Sequence, residues 1–179
     1  MKSDKEVQTK GYLQVYTGNG KGKTTAAFGL ALRAAGAGKK VFIAQFVKGM
    51  HYSELDILPS IPGVTLRQYG RGCFIRNKPS EEDDVSAART GLIEAGDILK
   101  RGEYDVVVLD EANIALFYGL FSFDELKRIL DERGSHVEVV VTGRYAPPQL
   151  IEMADLVTEM KEIKHYYSKG VEARSGIEK

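Results

Sequence analysis

An α/β fold is predicted by three observations. Short β-branched runs alternate with helical stretches, a glycine-rich turn ending in Gly-Lys-Thr follows the first run, and two acids close the strongest later run. This order implies a mostly parallel sheet flanked by helices on both faces, P-loop NTPase-like and RecA-like in kind.

The first run, at 12–16, enters Thr17-Gly18-Asn19-Gly20-Lys21-Gly22-Lys23-Thr24-Thr25 and then a helix. That is the composition of a triphosphate cradle. Glycines at 18, 20 and 22 let backbone N–H groups turn onto phosphate oxygens, and the following helix aims its positive end at them. Lys23 adds a cation and Thr24 a hydroxyl for magnesium. The match to G-x-x-x-x-G-K-[ST] departs at one position: Thr17 stands five before Gly22, and the glycine comes one residue later, at Gly18.

With 179 residues the chain fits a single domain, 1–179, able to bury about 70% of its unfolded surface without disulfides or structural metal. Lys plus Arg and Asp plus Glu number 25 each, a balance that argues against a nucleic-acid binder. One cysteine, Cys73, suits a reducing compartment. Residues 1–10 read as a polar arm without the apolar stretch of a signal peptide, and no run approaches membrane-spanning length, so a cytoplasmic protein without membrane contact is expected.

Residues 24–37 are rich in alanine and leucine with apolar positions all round, as in a helix buried on a sheet. Strand two is expected at 41–46, ending in Gln45-Phe46-Val47-Lys48-Gly49 at the same sheet edge as the glycine loop. A short helix and turn follow at 51–63, then strand three at 64–69. Gly70-Arg71-Gly72-Cys73-Phe74-Ile75 is both glycine-rich and apolar; it is either a loop beside a flat, greasy ligand or a surface turn with Cys73 and Phe74 in the core. Ser80 caps a long helix, with Val85, Ala88, Leu92, Ala95 and Leu99 at helical spacing to about residue 101.

The run at 104–109 delivers Asp110 and Glu111 to the carboxyl end of a buried strand, where acids either hold magnesium beside Thr24 or cap a helix. Ser122 caps a helix to Arg133 that stops at Gly134, and a strand at 137–142 ends in Gly143-Arg144. Arg144 either neutralises a leaving group or is a surface arginine. Pro147 and Pro148 start a short helix through Ala154, and 156–160 is a last strand. The tail, 161–179, is expected to wrap the domain or a neighbouring subunit, anchored by Ile163, Tyr166, Tyr167 and Val171. His51 and His165 have no partner at metal-ligand spacing and read as ordinary histidines.

With these pieces placed, the chain resembles the P-loop type of ATP:corrinoid adenosyltransferase. The carriers are T-G-N-G-K-G-K-T-T-A-A at 17–27, Q-F-V-K-G at 45–49, V-V-L-D-E at 107–111, V-T-G-R at 141–144, A-D-L-V-T-E-M at 154–160 and the closing pattern at 163–177. The displaced glycine is a feature of that family's loop. The resemblance implies that Co(I) of a corrinoid attacks the 5′ carbon of ATP and that triphosphate leaves whole, with ATP held reversed relative to other P-loop proteins. It places Gly18, Asn19, Gly20, Lys21, Gly22, Lys23, Thr24 and Thr25 on the phosphates, and Thr24 and Glu111 on magnesium with Asp110 in support. Arg144 falls on the phosphate chain, so that Lys23, Glu111 and Arg144 carry the catalysis.

Arg33 matches a family arginine or is a surface residue. Cys73, Phe74 and Ile75 would face the corrinoid where some members carry phenylalanine and tryptophan; this chain has no tryptophan. A reductase supplying Co(I) and a homodimer are implied as partners. Two rivals remain at this stage: an ATPase or kinase that cleaves the γ-phosphate, and a non-catalytic ATP-binding module.

Overall fold

The computed structural model describes residues 10–70 and 82–179. In chain order they form β1 (Leu13–Thr17), α1 (Lys23–Gly36), β2 (Val41–Phe46), α2 (Glu54–Ile57), β3 (Val64–Tyr69), α3 (Glu82–Arg101), β4 (Val106–Asp110), α4 (Ala112–Phe117), α5 (Phe123–Asp131), β5 (Glu138–Thr142), α6 (Pro148–Met153) and β6 (Leu156–Glu159). Single 3₁₀ turns lie at Leu58–Ser60 and Tyr166–Lys169. The six strands make one sheet in the order β3-β2-β4-β5-β1-β6, and every pairing is parallel. Such a sheet needs a crossover between successive strands, and the helices supply it.

Strand alternation sends side chains to two apolar layers. Leu13, Val15, Phe42, Ala44, Phe46, Val107, Leu109, Val139 and Val141 share one layer with Leu92, Ala95 and Leu99 of α3 and Leu126 and Leu130 of α5. Val41, Ile43, Val106, Val108 and Val140 face the other way, onto Ala27, Phe28, Ala31 and Ala34 of α1. Runs such as Val106-Val107-Val108-Leu109 are therefore apolar on consecutive positions because both faces are covered.

Several element bounds differ from the sequence reading. β4 starts at Val106 because the amides of Asp105 and Val106 both turn to the Lys40 carbonyl, while the Tyr104 ring packs on Phe42, 5.5 Å between centroids. It also runs one residue further, to Asp110, which pairs in register with Gln45. α4 was not anticipated. Six residues are too few to show a helical period, and its start is set by Glu111 in the left-handed conformation, φ 59°. α5 does open on Ser122 as a capping box: Ser122 Oγ accepts from the Glu125 amide, and Glu125 Oε2 accepts from the Ser122 amide at 2.7 Å. It ends at Asp131, two residues before the expected Arg133.

Two burial expectations are also corrected. α1 is covered on one side only, and its Leu32 is 55% exposed. In the tail, Ile163 and Tyr167 are 84% and 75% exposed and anchor nothing; of the four expected anchors Tyr166 makes the contacts. Spacing of apolar residues in a tail without regular structure carries no face, so it predicts no burial.

Gly91 lies mid-helix in α3, where alanine would ordinarily gain about 1 kcal/mol of helix propensity. A Cβ there would stand 2.4 Å from Cγ and 2.8 Å from Cβ of Tyr69, whose base cannot swing aside. Gly91→Ala is expected to destabilise the fold by about 1–3 kcal/mol through overpacking, read as a lower denaturant midpoint at unchanged slope. A stabilised variant would show that the α3–β3 contact is looser than this.

Candidate functional site: a nucleotide cavity at the carboxyl edge of the sheet

β1, β2, β4 and β5 end at the same edge, so the segments after them meet. The glycine loop leaves β1 close beneath β6. The Gly20 amide donates to the Met160 carbonyl at 2.7 Å, and a Cβ on Gly20 would lie 2.7 Å from that same oxygen. Gly22 enters α1 at φ 116°, a conformation that side chains avoid. The displaced glycine of the loop thus fits a turn squeezed against β6: Gly18 has φ 94° and would place a Cβ 2.5 Å from the Met160 oxygen.

Lys23 is buried and folds back over the loop, donating to the carbonyls of Gly18 and Gly20 at 2.7 Å each. Burial lowers its pKa from the ordinary lysine value. Thr24 donates to Asp110 Oδ1 at 2.9 Å, which links the helix start to the end of β4. Asp110 is fully buried and accepts three further bonds: from Thr142 Oγ1 at 2.7 Å on Oδ1, and from Gln45 Nε2 at 3.1 Å and Lys48 Nζ at 2.9 Å on Oδ2. Lys48 Nζ is also 3.3 Å from Thr24 Oγ1. Burial opposes the charge on Lys48, but Asp110 and Glu111 outweigh it and raise its pKa.

Glu111 follows at the N-cap of α4, yet its side chain caps nothing. It lines the cavity, and burial together with the Asp110 charge raises its pKa above the carboxylate norm. Of the two readings open in the sequence the helix-capping pair is not seen: Asp110 belongs to the strand and Glu111 lines the cavity without capping α4. Gly143, at φ 128°, leaves room for it, since a Cβ would come 3.2 Å from Glu111 Oε2 and 2.9 Å from Asn113 Cβ. Asn113 Nδ2 fixes that turn through the Gly143 carbonyl at 3.0 Å.

These groups open onto a cavity of about 1060 Å³, at the upper end of small-molecule sites. Residues 20–25, Glu111 and Arg144 line it. Gly18 and Asn19 sit at the back of the loop, outside that lining, and Asp110 lies beneath it. Arg33 is exposed on α1 away from the lining, where its charge is felt by Tyr16. Cys73, Phe74 and Ile75 lie outside the described residues. His51 pairs with Asp56 at 2.8 Å on the surface, and His165 lines the cavity with Nδ1 accepting from the Tyr167 amide at 3.1 Å. Among the described residues no cluster of three or more His, Cys, Asp or Glu forms a metal site.

Sequence reasoning left Lys48, Gln45 and Thr142 without roles. A signal existed for Gln45: it is the single polar residue in the buried run Val-Phe-Ile-Ala-Gln-Phe. The tail also reaches the cavity, where Lys21 Nζ binds Glu178 Oε1 at 2.7 Å and the Ile177 carbonyl at 2.9 Å.

A glycine loop joining strand to helix, with its threonine bound to a buried acid on a parallel strand, defines a P-loop nucleotide-binding protein. The particular kind follows from comparison. Residues 9–178 match the family model described as ATP:corrinoid adenosyltransferase BtuR/CobO/CobP. The corrinoid adenosyltransferase of Escherichia coli (strain K12) is 38% identical over 94% of this chain and 86% of its own length. That of Pseudomonas aeruginosa is 39% identical over 94% and 84%. The corrinoid adenosyltransferase CobA of Salmonella typhimurium is 36% identical over 96% and 87%. The chain belongs to the ATP:corrinoid adenosyltransferase family.

Among the described residues Lys48 is the one cation bonded to Asp110, and removing it leaves the buried carboxylate with the neutral donors Thr24, Thr142 and Gln45. Lys48→Met is expected to cost about 3 kcal/mol in chemical denaturation. The double variant Lys48→Met, Asp110→Asn is expected to recover most of that loss. Equal losses in the two proteins would mean that the pair is not what holds the carboxylate.

Proposed function

We propose that the chain transfers the 5′-deoxyadenosyl group of ATP to the cobalt of a corrinoid, with the glycine loop holding triphosphate as the leaving group. The observation that carries this reading is a complete phosphate loop, its Thr24 bound to Asp110, in a chain that the adenosyltransferase family matches from 9 to 178. A lone pair on Co(I) attacks the 5′ carbon. The Co–C bond forms as the C5′–O bond breaks, the bonding electrons leave on the triphosphate oxygen, and cobalt ends two electrons poorer.

No proton needs to move in that step, and the task of the protein is to hold negative charge in place. Lys23 exchanges the Gly18 and Gly20 carbonyls for phosphate oxygens, the start of α1 supplies amides, and Arg144 brings a second cation to the cavity. Magnesium would be held by Thr24 and Glu111, with Asp110 acting through the Thr24 hydroxyl. The fit is one of hard oxygen donors at a place where the Lys48 ammonium already rests between Thr24 and Asp110. When bound, the ion neutralises charge on the departing triphosphate.

The reading brings with it a reductase that supplies Co(I), a homodimer and a cytoplasmic setting. Among the described residues no helix is long and apolar enough to cross a membrane.

Protein mixed with ATP, magnesium and chemically reduced corrinoid is expected to give a light-sensitive Co–C product, followed in the visible spectrum, and one triphosphate per product. Release of ADP in its place would transfer the assignment to a γ-phosphate-cleaving enzyme. Lys23→Ala is expected to lower kcat/KM at least ~100-fold in a folded protein.

A further inference from the structure

The tail does not simply trail from β6. It crosses the mouth of the cavity and is fastened on both sides. On the loop side, Lys21 Nζ donates to Glu178 Oε1, to the Ile177 carbonyl and to Tyr166 Oη at 2.7, 2.9 and 3.1 Å. On the far side, Ser53 Oγ, just before α2, donates to the Lys179 main-chain oxygen at 3.0 Å. Glu178 is held in turn by the Arg174 amide at 2.9 Å and by the Tyr166 hydroxyl. Gly176, Ile177, Glu178 and Lys179 all line the cavity, which remains open behind them, so the segment walls the space and does not fill it.

Lys21 has the position of a phosphate ligand in the loop, but its ammonium is committed to the tail. Of the two loop lysines, Lys23, buried within the loop, is the one left for phosphate contact. Ile177, 55% exposed, is an apolar member of a lining that also includes Phe28 and Leu32 of α1.

We infer that residues 176–179 are the outer wall of the nucleotide site and that Lys21 and Glu178 are positioning residues that latch this wall to the glycine loop. The inference rests on reading the cavity as the ATP site. The latch keeps the nucleotide from escaping and keeps water off the 5′ carbon, so it governs nucleotide residence and leaves the chemical step to Lys23, Arg144 and Glu111.

The test measures dissociation of a fluorescent ATP analogue, which needs no corrinoid, alongside ATP KM and kcat for adenosylation. Glu178→Ala is expected to speed analogue release and raise KM about five-fold, the scale of a partly exposed ion pair, with kcat changed less than two-fold and thermal midpoint unchanged. Glu178→Gln, which keeps an acceptor for Lys21, is expected to fall between Glu178→Ala and the parent. Ser53→Ala, releasing the other end, shifts the same readouts in the same direction. Adding Lys21→Met to Glu178→Ala is expected to produce no further loss, because both remove one latch.

Additive losses would overturn the inference by showing Lys21 on the phosphates directly. Unchanged release and KM in Glu178→Ala would overturn it by showing that the wall holds nothing. A parent protein that binds the analogue but makes no Co–C product sinks the adenosyltransferase reading and leaves the latch to be judged on release rates alone.

Discussion

The Asp110 carboxylate is the point on which the site depends. Both oxygens are buried, and each accepts two bonds, from Thr24 and Thr142 on one side and from Gln45 and Lys48 on the other. Those donors come from α1, β5, β2 and the segment after β2, so a single charged group ties the glycine loop to three parallel strands. A buried carboxylate without such partners would cost several kcal/mol and would protonate or leave the core. Its satisfaction is therefore a condition on the register of β2, β4 and β5 together, which pairs Gln45 with Asp110 and Leu109 with Val141.

That condition also accounts for what the sequence disclosed and what it withheld. The strands were readable because each is a β-branched run covered on both faces, and the loop because its glycines and Gly-Lys-Thr are contiguous. Lys23, Thr24, Glu111 and Arg144 could be named from motif positions and do meet at one cavity. Lys48 was quoted within Gln-Phe-Val-Lys-Gly, but its role depends on Val47 turning to φ 64° and aiming the chain back toward β4. Nothing in the residue types at 47 and 48 announces that turn. α4 escaped because a six-residue helix shows less than two full turns of pattern.

The tail shows a different failure. Its aromatic and aliphatic residues were read as anchors by their hydrophobicity, yet Ile163 and Tyr167 stand in solvent and the attachments are polar. Lys21, Glu178, Arg174, Tyr166 and Ser53 form them, and they are separated by up to 157 positions along the chain. Short-range pattern cannot find such pairs, since charge and hydroxyl groups in a tail look alike whether solvated or bonded. Hydrophobic spacing identifies faces only where a regular element repeats them.

The distribution of charge in the cavity agrees with a reaction that moves a carbon centre and no proton. Lys23 and Lys48 are both satisfied by fixed protein oxygens, Lys23 by carbonyls and Lys48 by Asp110. Lys48 stays charged in spite of burial because Asp110 and Glu111 lie beside it. His165, the histidine that reaches the lining, has Nδ1 occupied by a backbone amide. The charge of Lys23 is thus stored against neutral carbonyls before any nucleotide arrives, and a triphosphate that replaces those carbonyls meets a donor already positioned, while Lys48 stays on Asp110. Preorganised charge of this kind stabilises a leaving group without reorganisation at the moment of bond breaking, which is what departure of an intact triphosphate demands.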